Sequence, residues 1–384
     1  SGTTATVTLT KSAATSVYDT MVEALQYKNT HQDPSTGNSR VVTLTEIVDS
    51  GSNAGSNDNV SALSIASTVT LAATNDAPTA TAGTTLAYSE NGTAAVVDNT
   101  IALSDADDSQ MAGASVTISS GFTSGDILTF TDTANITGSY NSGSGVLTLS
   151  GSDTTANYQA ALRSITYASS SEDPTTTATS RTISWTVTDG NSDGAGAETS
   201  TAVTSTINLT AVNDAPVTTA GATLAYSENG TAAVIDNTIA LSDIDDSQMA
   251  GASVTISSGF TSGDTLGFTT IGAISGSYNS STGVLTLSGT DTIANYQAAL
   301  RSITYASSSE DPTATAASRT ISWSVTDANS DGAGAQSSSA VTSTINLTAT
   351  NDTPTATAGA TLAYSENGTA AVVDNTIALS DADD

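Results

Sequence analysis

A unit of 138 residues repeats along the chain, and this repeat constrains the fold more than any other feature of the sequence. An Asn-Asp-x-Pro tetrapeptide begins at Asn75, Asn213 and Asn351. When residues 75–212 and 213–350 are aligned without a gap, they differ at only 24 positions. Self-similarity at a fixed period is the signature of structural units that follow one another in the chain. We therefore expect tandem copies of one domain.

The repeat divides the 384 residues into four segments. The first segment is a diverged copy, in which Tyr18 and Tyr27 match Tyr158 and Tyr167 of the next copy. We predict the C-terminal part of a diverged repeat (1–74), two complete repeats (75–212 and 213–350) and the N-terminal part of a further repeat (351–384). The chain is therefore expected to be an excerpt from a longer array.

Alternating apolar residues predict β-strands within each copy. Ile183, Trp185 and Val187 occupy every second position of one such stretch, and Ile207 and Leu209 do so in another. This period of two is typical of half-buried strands, whose apolar side chains all point to one face. With seven to nine strands in each copy, the pattern predicts an all-β chain of tandem antiparallel β-sandwiches. These five residues are expected in the core.

Two local patterns stand between the predicted strands. Residues 156–163 have helical spacing at Tyr158 and Leu162, which predicts one short helix per repeat. The dipeptide Asn91-Gly92 separates two apolar stretches and predicts a β-hairpin, because Asn-Gly favours two-residue hairpin turns.

Composition excludes several classes of protein. The 38 acidic residues outnumber seven Lys and Arg, and the formal net charge of −31 argues against binding to nucleic acid or an anionic membrane. The absence of cysteine excludes disulfides, thiol nucleophiles and zinc–thiolate sites. No apolar run reaches the ~20 residues of a membrane-spanning helix, and we identify no signal peptide.

The direction of the predicted strands places many acids at the two ends of each sandwich. If successive strands alternate in direction, the turns at Glu90 and at Glu172-Asp173 lie at one end of a copy. The stretches Asp105–Asp108 and Asp189–Asp193 lie at the other end. The lower end of one copy then meets the upper end of the next across the short Asn-Asp linker. By contrast, Asp98, Asp126 and Asp153 are predicted to be surface or turn residues.

Such convergence predicts a bound divalent cation. Each complete copy has two arginines and no lysine, so almost no side-chain cation can neutralise the acids. Calcium takes six to eight oxygen ligands, and flexible loops that offer carboxylates, amides and carbonyls suit it better than magnesium. The candidate calcium ligands are Asn75, Asp76, Glu90, Asp105, Asp107, Asp108, Glu172, Asp173, Asp189, Asn191, Asp193, Asn213, Asp214, Glu228, Asp243, Asp245, Asp246, Glu310, Asp311, Asp327, Asn329, Asp331, Asn351, Asp352, Asp381 and Asp383.

One of these loops has a local motif of its own. Asp189-x-Asn191-x-Asp193-Gly194 matches the first half of an EF-hand calcium loop, but Ser200 stands where the loop requires glutamate. We predict a loop able to offer oxygens rather than an EF-hand. A polar turn with glycine in the left-handed region is the alternative reading.

Four motifs together resemble a known family. These are the Asn-Asp-Ala-Pro linker, the Tyr-Ser-Glu-Asn-Gly turn, the Ser-Asp-x-Asp-Asp cluster and the Val-Thr-Asp-Gly strand end. They resemble the cadherin-like (Ig-like) repeats of giant secreted bacterial adhesins, and the linker is similar to the calcium linker of animal cadherins. The resemblance implies an extracellular, calcium-stiffened protein of a Gram-negative bacterium, acting in attachment and biofilm. It also implies that Glu90, Asn213, Asp214, Asp243 and Asp245 are ligands at one junction.

Other functions remain as alternatives. A self-assembling filament or surface-layer component would use the same repeats and ions, with additional lateral contacts between like chains. A carbohydrate-binding module is a weaker alternative, because both tryptophans alternate in phase with core residues. An enzyme is disfavoured, because the single histidine, His31, lies in the diverged copy and the complete copies lack His, Cys and Lys.

Overall fold

The computed structural model describes residues 4–34, 39–51, 60–191, 196–329 and 334–383. Contacts between Cα atoms divide the chain into two compact units. Unit 1 comprises Ser1–Leu86, Thr93–Ala168 and Ser180–Asn208, and unit 2 comprises Ala87–Gly92, Ser169–Thr179 and Leu209–Asp384. The turn at Glu90 and the loop at Glu172 therefore belong to the same unit as the whole second copy. In the described part of the chain, no helix has the length and apolar character to cross a membrane.

The diverged N-terminal segment contains a helix and a strand pair. The helix α1 spans Thr15–Glu23, and the strands β1 (Arg40–Val48) and β2 (Val60–Val69) pair antiparallel, with Arg40 opposite Val69.

The first complete copy contains eleven strands and one helix in its described residues. The strands are β3 (Thr79–Thr81), β4 (Thr85–Ser89), β5 (Ala95–Val96), β6 (Ala102–Ser104), β7 (Gln110–Ser120), β8 (Asp126–Thr129), β9 (Thr137–Asn141), β10 (Val146–Thr154), β11 (Thr166–Ser169), β12 (Ser180–Asp189) and β13 (Val203–Thr210), and the helix is α2 (Thr155–Arg163). They form sheets in the orders β4-β13-β12-β7-β10-β9, β5-β11-β8 and β3-β6.

The second complete copy repeats this arrangement strand for strand. Its elements are β14 (Val217–Thr219), β15 (Thr223–Ser227), β16 (Ala233–Val234), β17 (Ala240–Ser242), β18 (Gln248–Ser258), β19 (Asp264–Gly267), β20 (Ser275–Asn279), β21 (Val284–Thr292), α3 (Ile293–Arg301), β22 (Thr304–Ser307), β23 (Ser318–Asp327) and β24 (Val341–Thr348). Its sheets have the orders β15-β24-β23-β18-β21-β20, β16-β22-β19 and β14-β17. The last segment contributes β25 (Thr355–Thr357) and β26 (Ala378–Ser380), which pair antiparallel.

The core lies between the six-stranded and three-stranded sheets, as the alternating pattern predicts. In the second copy, Trp323 of β23, Leu266 of β19 and Tyr305 of β22 belong to one hydrophobic cluster. In the first copy, the predicted core residues are confirmed as buried: Ile183, Trp185, Val187, Ile207 and Leu209. The short helix of each complete copy is also confirmed, and it buries Tyr158 and Leu162 in the first. In its described residues, the chain is therefore all-β apart from three short helices.

The predicted hairpin at Asn91-Gly92 is wrong. The turn itself forms, with Asn91 at a φ of 54° and a 3.0 Å hydrogen bond from Gly92 N–H to the carbonyl of Ser89. However, β4 lies beside β13 in the six-stranded sheet, whereas β5 lies beside β11 in the three-stranded sheet. The turn carries the chain from one sheet to the other, so it supplies a corner of the sandwich rather than a hairpin.

Two further features depart from the expected antiparallel sandwich. The described residues of each complete copy form eleven strands instead of the predicted seven to nine, because three-residue strands such as β3 and β6 are too brief to give a clear alternating pattern. The strands β15 and β24 run parallel, from Thr223 opposite Thr344 to Ser227 opposite Thr348. In chain order, β15 and β24 are the first and last strands of the six-stranded sheet, and they therefore run in the same direction.

Asp98 and Asp126 are buried, which contradicts the surface part of their prediction as surface or turn residues. Each has an exposed fraction of 1%. Asp126 forms a 2.7 Å ion pair with the buried Arg181 and accepts a 2.6 Å hydrogen bond from the hydroxyl of Tyr167. Asp98 accepts a 2.7 Å hydrogen bond from Ser205, whose oxygen in turn accepts a 3.0 Å bond from the indole of Trp185. Buried charge is tolerated at both positions because donors surround it.

Candidate metal centre

Glu90 lies in the corner turn after β4 and has an exposed fraction of 4%. Its backbone N–H donates a 2.9 Å hydrogen bond to the carbonyl of Thr210. Its Oε2 accepts a 2.9 Å hydrogen bond from the N–H of Val212. The other oxygen, Oε1, is buried and has no hydrogen-bond partner. The turn thus holds one carboxylate beside the linker, with an oxygen still able to bind a ligand.

The linker residue Asn213 is fully buried. Its Nδ2 donates a 2.9 Å hydrogen bond to Oδ2 of Asp327, which orients the amide. Its Oδ1 is buried without a hydrogen-bond partner. A buried polar atom left without a partner is rare in folded proteins and requires an explanation. The neighbouring Asp214 donates its backbone N–H to Oδ2 of Asp245 at 2.7 Å.

Asp243 shapes the loop after β17. Its Oδ1 accepts hydrogen bonds from the backbone N–H groups of Asp245 at 3.2 Å and Asp246 at 3.0 Å. Its Oδ2 is buried without a hydrogen-bond partner. Asp243, Asp245 and Asp246 each offer one oxygen within 4.8 Å of the other two. The tight turn therefore concentrates three carboxylates.

Residues distant in sequence converge beside this loop. Glu90, Glu172 and Asp214 each offer a carboxylate oxygen, and these oxygens lie within 4.8 Å of one another. The charge of Asp245 also contributes to raising the pKa of Glu90. Strand direction therefore predicts the proximity of the turn, the linker and the following loop correctly. We name Glu90, Glu172, Asn213, Asp214, Asp243, Asp245 and Asp246 the linker cluster.

Burial, together with the charge of neighbouring carboxylates, raises pKa values in the linker cluster. Burial, followed by the charges of Asp214, Glu172 and Asp245, raises the pKa of Glu90 from 4.5 to about 7. Burial and the neighbouring carboxylate of Asp245 raise the pKa of Asp243 from 3.8 to about 7. Burial also raises the pKa of Asp214, with Asp245 and Glu172 adding to the effect. Negative charge is thus disfavoured at three positions of the cluster.

The arginines of each complete copy are engaged elsewhere. Arg181 and Arg319 pair with the core residues Asp126 and Asp264, each at 2.7 Å. The Nε of Arg163 donates a 2.6 Å hydrogen bond to the carbonyl of Ile101. The complete copies contain no lysine. These arginines therefore serve the cores, and neutralisation of the linker cluster is left to protons or to a cation from solution.

The other two linkers repeat parts of the same geometry. The backbone N–H of Asp76 donates to Asp107 at 2.8 Å, and that of Asp352 donates to Asp383 at 2.5 Å. Near the first linker, Oδ1 of Asn75 and Oδ2 of Asp105 are buried without a hydrogen-bond partner. At the last linker, oxygens of Glu228, Asp352 and Asp383 lie within 4.8 Å of one another. The other predicted ligands at these two linkers are close neighbours in sequence. Asp108 follows Asp107 near the first linker, whereas Asn351 precedes Asp352 and Asp381 lies two residues before Asp383 at the last.

Several candidate ligands already accept hydrogen bonds within their own loops. Asp173 accepts from the N–H groups of Thr175 and Thr176, and Asp311 accepts from that of Thr313. Asp189 and Asp327 are fully buried. Both oxygens of Asp189 accept from the N–H of Glu198, and those of Asp327 accept from that of Gln336. These four carboxylates shape the loops around the linkers.

The loop that matches half of an EF-hand is described only at its edges. Asn191 and Asn329 adopt positive φ values of 53° and 59°, and each accepts a 2.8 Å hydrogen bond through Oδ1 from a glycine five residues later. The predicted ligands Asp193 and Asp331 lie outside the described residues.

The sequence did not indicate the role of Asn91 and Asn229. Nδ2 of Asn91 donates a 3.0 Å hydrogen bond to Oε2 of Glu172, and Nδ2 of Asn229 donates a 3.2 Å bond to Oε2 of Glu310. Each asparagine therefore orients a carboxylate that lies 81 residues further along the chain. The Asn-Gly dipeptide indicates the turn but not the partner of its side chain.

The linker cluster has the chemistry that a calcium ion requires. Its potential ligands are oxygens only, drawn from carboxylates and one amide, which is the donor set of hard cations. Three of these oxygens are buried and have no hydrogen-bond partner: Oε1 of Glu90, Oδ1 of Asn213 and Oδ2 of Asp243. These three oxygens would be the first to hold the ion, with Glu172 and Asp214 beside them.

Comparison with known sequences finds one partial similarity and no family. No protein-family model matches the chain. A stretch of 128 residues is 35% identical to Halomucin of Haloquadratum walsbyi, and it represents 32% of this chain and 1% of Halomucin. The chain therefore spans a very small part of that relative.

Comparison with solved structures finds cadherin ectodomains at low similarity. The extracellular cadherin domains 1–4 of protocadherin gamma B7 are 15% identical, with coverage of 85% of this chain and 64% of theirs and a TM-score of 0.30. Human CDH23 EC21–23 is 13% identical, with coverage of 78% and 83% and a TM-score of 0.31. The all-β assignment follows from the strands of this chain itself.

Proposed function

We propose that this chain is a structural segment of an extracellular protein in which calcium ions stiffen the junctions between repeated β-sandwiches. It would act as an extender within a secreted adhesin or matrix fibre at a bacterial surface. The observation that carries the proposal is the linker cluster, where Glu90, Glu172 and Asp214 gather carboxylate oxygens within 4.8 Å.

Electrostatics favours a bound divalent cation over an empty cluster. Two ionised carboxylates separated by about 4 to 5 Å repel each other by about 3 to 4 kcal/mol at an effective dielectric constant near 20. Such repulsion adds to the effect of burial in disfavouring the ionised form of Glu90, which agrees with its raised pKa. A calcium ion supplies two positive charges and accepts irregular oxygen geometry.

The position of the ligands explains why an ion would stiffen the chain. Glu90 comes from a corner turn, Asp214 from the linker and Asp243 from a loop of the following copy. An ion held by all three elements would restrict their relative motion, whereas the hydrophobic cores consist of buried apolar residues within the copies. The near-identity of the copies supports a role that is repeated along the chain, such as mechanical extension.

Small-angle X-ray scattering tests this function on the full chain. We expect a larger radius of gyration in millimolar calcium than in excess chelator, because loss of the ion frees the junctions. Circular dichroism under the same two conditions should show the same β-structure. Equal dimensions with and without calcium would contradict the proposal.

A further inference from the structure

The hydroxyl of Tyr88 connects two segments that carry acids of the linker cluster. Tyr88 belongs to β4 and has an exposed fraction of 3%. Its hydroxyl donates a 2.7 Å hydrogen bond to the carbonyl of Gly92, which closes the turn around Glu90. The same oxygen accepts a 3.1 Å hydrogen bond from the N–H of Ser169, where the loop that contains Glu172 begins.

From Ser169 the hydrogen bonds continue along that loop. Oγ of Ser169 accepts from the N–H of Ser171, and Oγ of Ser171 accepts from the N–H of Asp173, each at 3.3 Å. These bonds bracket Glu172, whose carboxylate also accepts from Asn91 in the opposite turn. Tyr88 therefore anchors the loop at its start, while Asn91 holds the carboxylate itself.

The second copy contains the same anchor. The hydroxyl of Tyr226 donates to the carbonyl of Gly230 at 2.6 Å and accepts from the N–H of Ser307 at 3.2 Å. The ring of Tyr226 packs edge-on against Tyr305, with ring centroids 5.0 Å apart. A hydroxyl with the same two contacts in both copies stands beside the same pair of acidic segments each time.

We propose that Tyr88 is a positioning residue for the linker cluster, and that Tyr226 has this role at the following linker. This inference rests on the proposed function, because it concerns calcium affinity at the same site. Glu90 and Glu172 carry charge of the same sign, so other contacts are needed to hold their segments close together before an ion binds. A site whose ligands are held in place before binding loses less free energy in ordering them.

The test compares Tyr88→Phe with Tyr158→Phe in the full chain. Tyr88→Phe keeps the ring and removes only the hydroxyl. Tyr158 is also buried, and its hydroxyl donates to the carbonyl of Gly151, away from the linker cluster. It therefore reports the general effect of losing a buried tyrosine hydroxyl. Hydrogen–deuterium exchange is followed over a calcium titration in peptides covering residues 209–214 and 347–352, whose sequences differ and can be told apart.

In Tyr88→Phe, the calcium concentration that gives half-maximal protection of 209–214 should rise about three- to tenfold. This is the effect expected from about one net hydrogen bond. The midpoint for 347–352 should stay unchanged, and Tyr158→Phe should shift neither. An unchanged midpoint at 209–214 in Tyr88→Phe would overturn the inference, as would an equal shift in both peptides. If the wild-type chain shows no calcium-dependent protection, the proposed function fails instead.

Discussion

Asp98 and Glu90 are buried to a similar extent, yet their pKa values shift in opposite directions. Burial raises the pKa of both groups. Around Asp98 this effect is outweighed by hydrogen bonds from Ser205, Thr100 and Gly83, so that its pKa falls below the ordinary value. Around Glu90 the single hydrogen bond from Val212 cannot offset burial and neighbouring carboxylates. The number of donors therefore separates a structural carboxylate from one that suits a metal ion.

The structural role of Asp98 predicts a large loss of stability in Asp98→Asn. The variant replaces a charged acceptor of hydrogen bonds with an amide whose NH₂ group faces N–H and O–H donors. We expect the free energy of unfolding of that copy to fall by about 3 kcal/mol, since hydrogen bonds to charged groups contribute about 1.5 to 3 kcal/mol each. Urea denaturation followed by tryptophan fluorescence measures the change.

The control for Asp98→Asn is Asp19→Asn, which removes a charge from the exposed surface of α1. This variant should change the free energy of unfolding by less than about 0.5 kcal/mol. Equal effects of the two substitutions would show that the network around Asp98 contributes nothing.

Sequence analysis predicted the placement of the linker acids better than that of the core acids. The linker acids follow from strand direction alone, because turns at the same end of a sandwich must meet. The burial of Asp126 depends on its partner Arg181, which lies 55 residues away. The sequence did contain an indication, since Arg181 stands in phase with Ile183 and Trp185 on the inward face of β12. An inward arginine requires a buried acid, but alternation cannot show which one.

At the scale of elements, the alternating pattern predicted strands but not their partners. The stretches around Trp185 and Leu209 form β12 and β13 as expected. By contrast, β4 and β5 flank an Asn-Gly turn and still enter different sheets. Period-two alternation records only which face of a strand is buried, so two sheets that share one core give the same pattern. The corner turn that positions Glu90 could therefore not be distinguished from a hairpin.

The corner turn and the loop of the linker cluster contain carboxyl groups with raised pKa values. We therefore expect the stability of the fold to depend on pH in the absence of calcium. Glu90 and Asp243 have folded-state pKa values of about 7, above their ordinary values of 4.5 and 3.8. At pH values between the ordinary and the raised pKa values, the folded state binds more protons than the unfolded state. The free energy of unfolding therefore falls as pH rises. The protonated groups contribute fully to the free energy of unfolding below about pH 4, and this contribution is lost as pH rises through about 7.

Thermal unfolding in calcium-free buffer at pH 5 and pH 8 measures this dependence. The midpoint should be higher at pH 5, and the difference should shrink in Glu90→Gln and in Asp243→Asn. Asp98 does not interfere, because its lowered pKa affects stability only at more acidic pH. A midpoint that rises between pH 5 and pH 8 would contradict the electrostatic description of the cluster.

At the scale of the whole molecule, the acids described above serve two separate purposes. Asp98, Asp126 and their counterparts Asp236 and Asp264 are buried with hydrogen-bond donors inside the sandwiches. The linker cluster instead gathers carboxylates that raise one another's pKa values. Core stability and calcium binding should consequently be separable.

Chelation of calcium should leave the cores intact. Trp185 and Trp323 are fully buried, and each donates to a buried serine within its own copy. Their fluorescence emission maximum should therefore stay the same when calcium is removed at neutral pH and room temperature. A shift toward the emission of exposed tryptophan would mean that the cores depend on the ion.

Calorimetric titration of the full chain with calcium, in the wild type and in the double variant Asp243→Asn/Asp245→Asn, tests the central claim most directly. The variant removes two charges from the linker cluster but keeps the shape of the loop and the Oδ1 acceptor of Asp243. Its charge-matched control is Asp19→Asn/Glu23→Gln on the exposed helix α1. We predict that the double variant loses or weakens the sites of one linker, while the control matches the wild type. Superimposable isotherms for the double variant and the wild type would contradict the assignment of this loop as a calcium ligand.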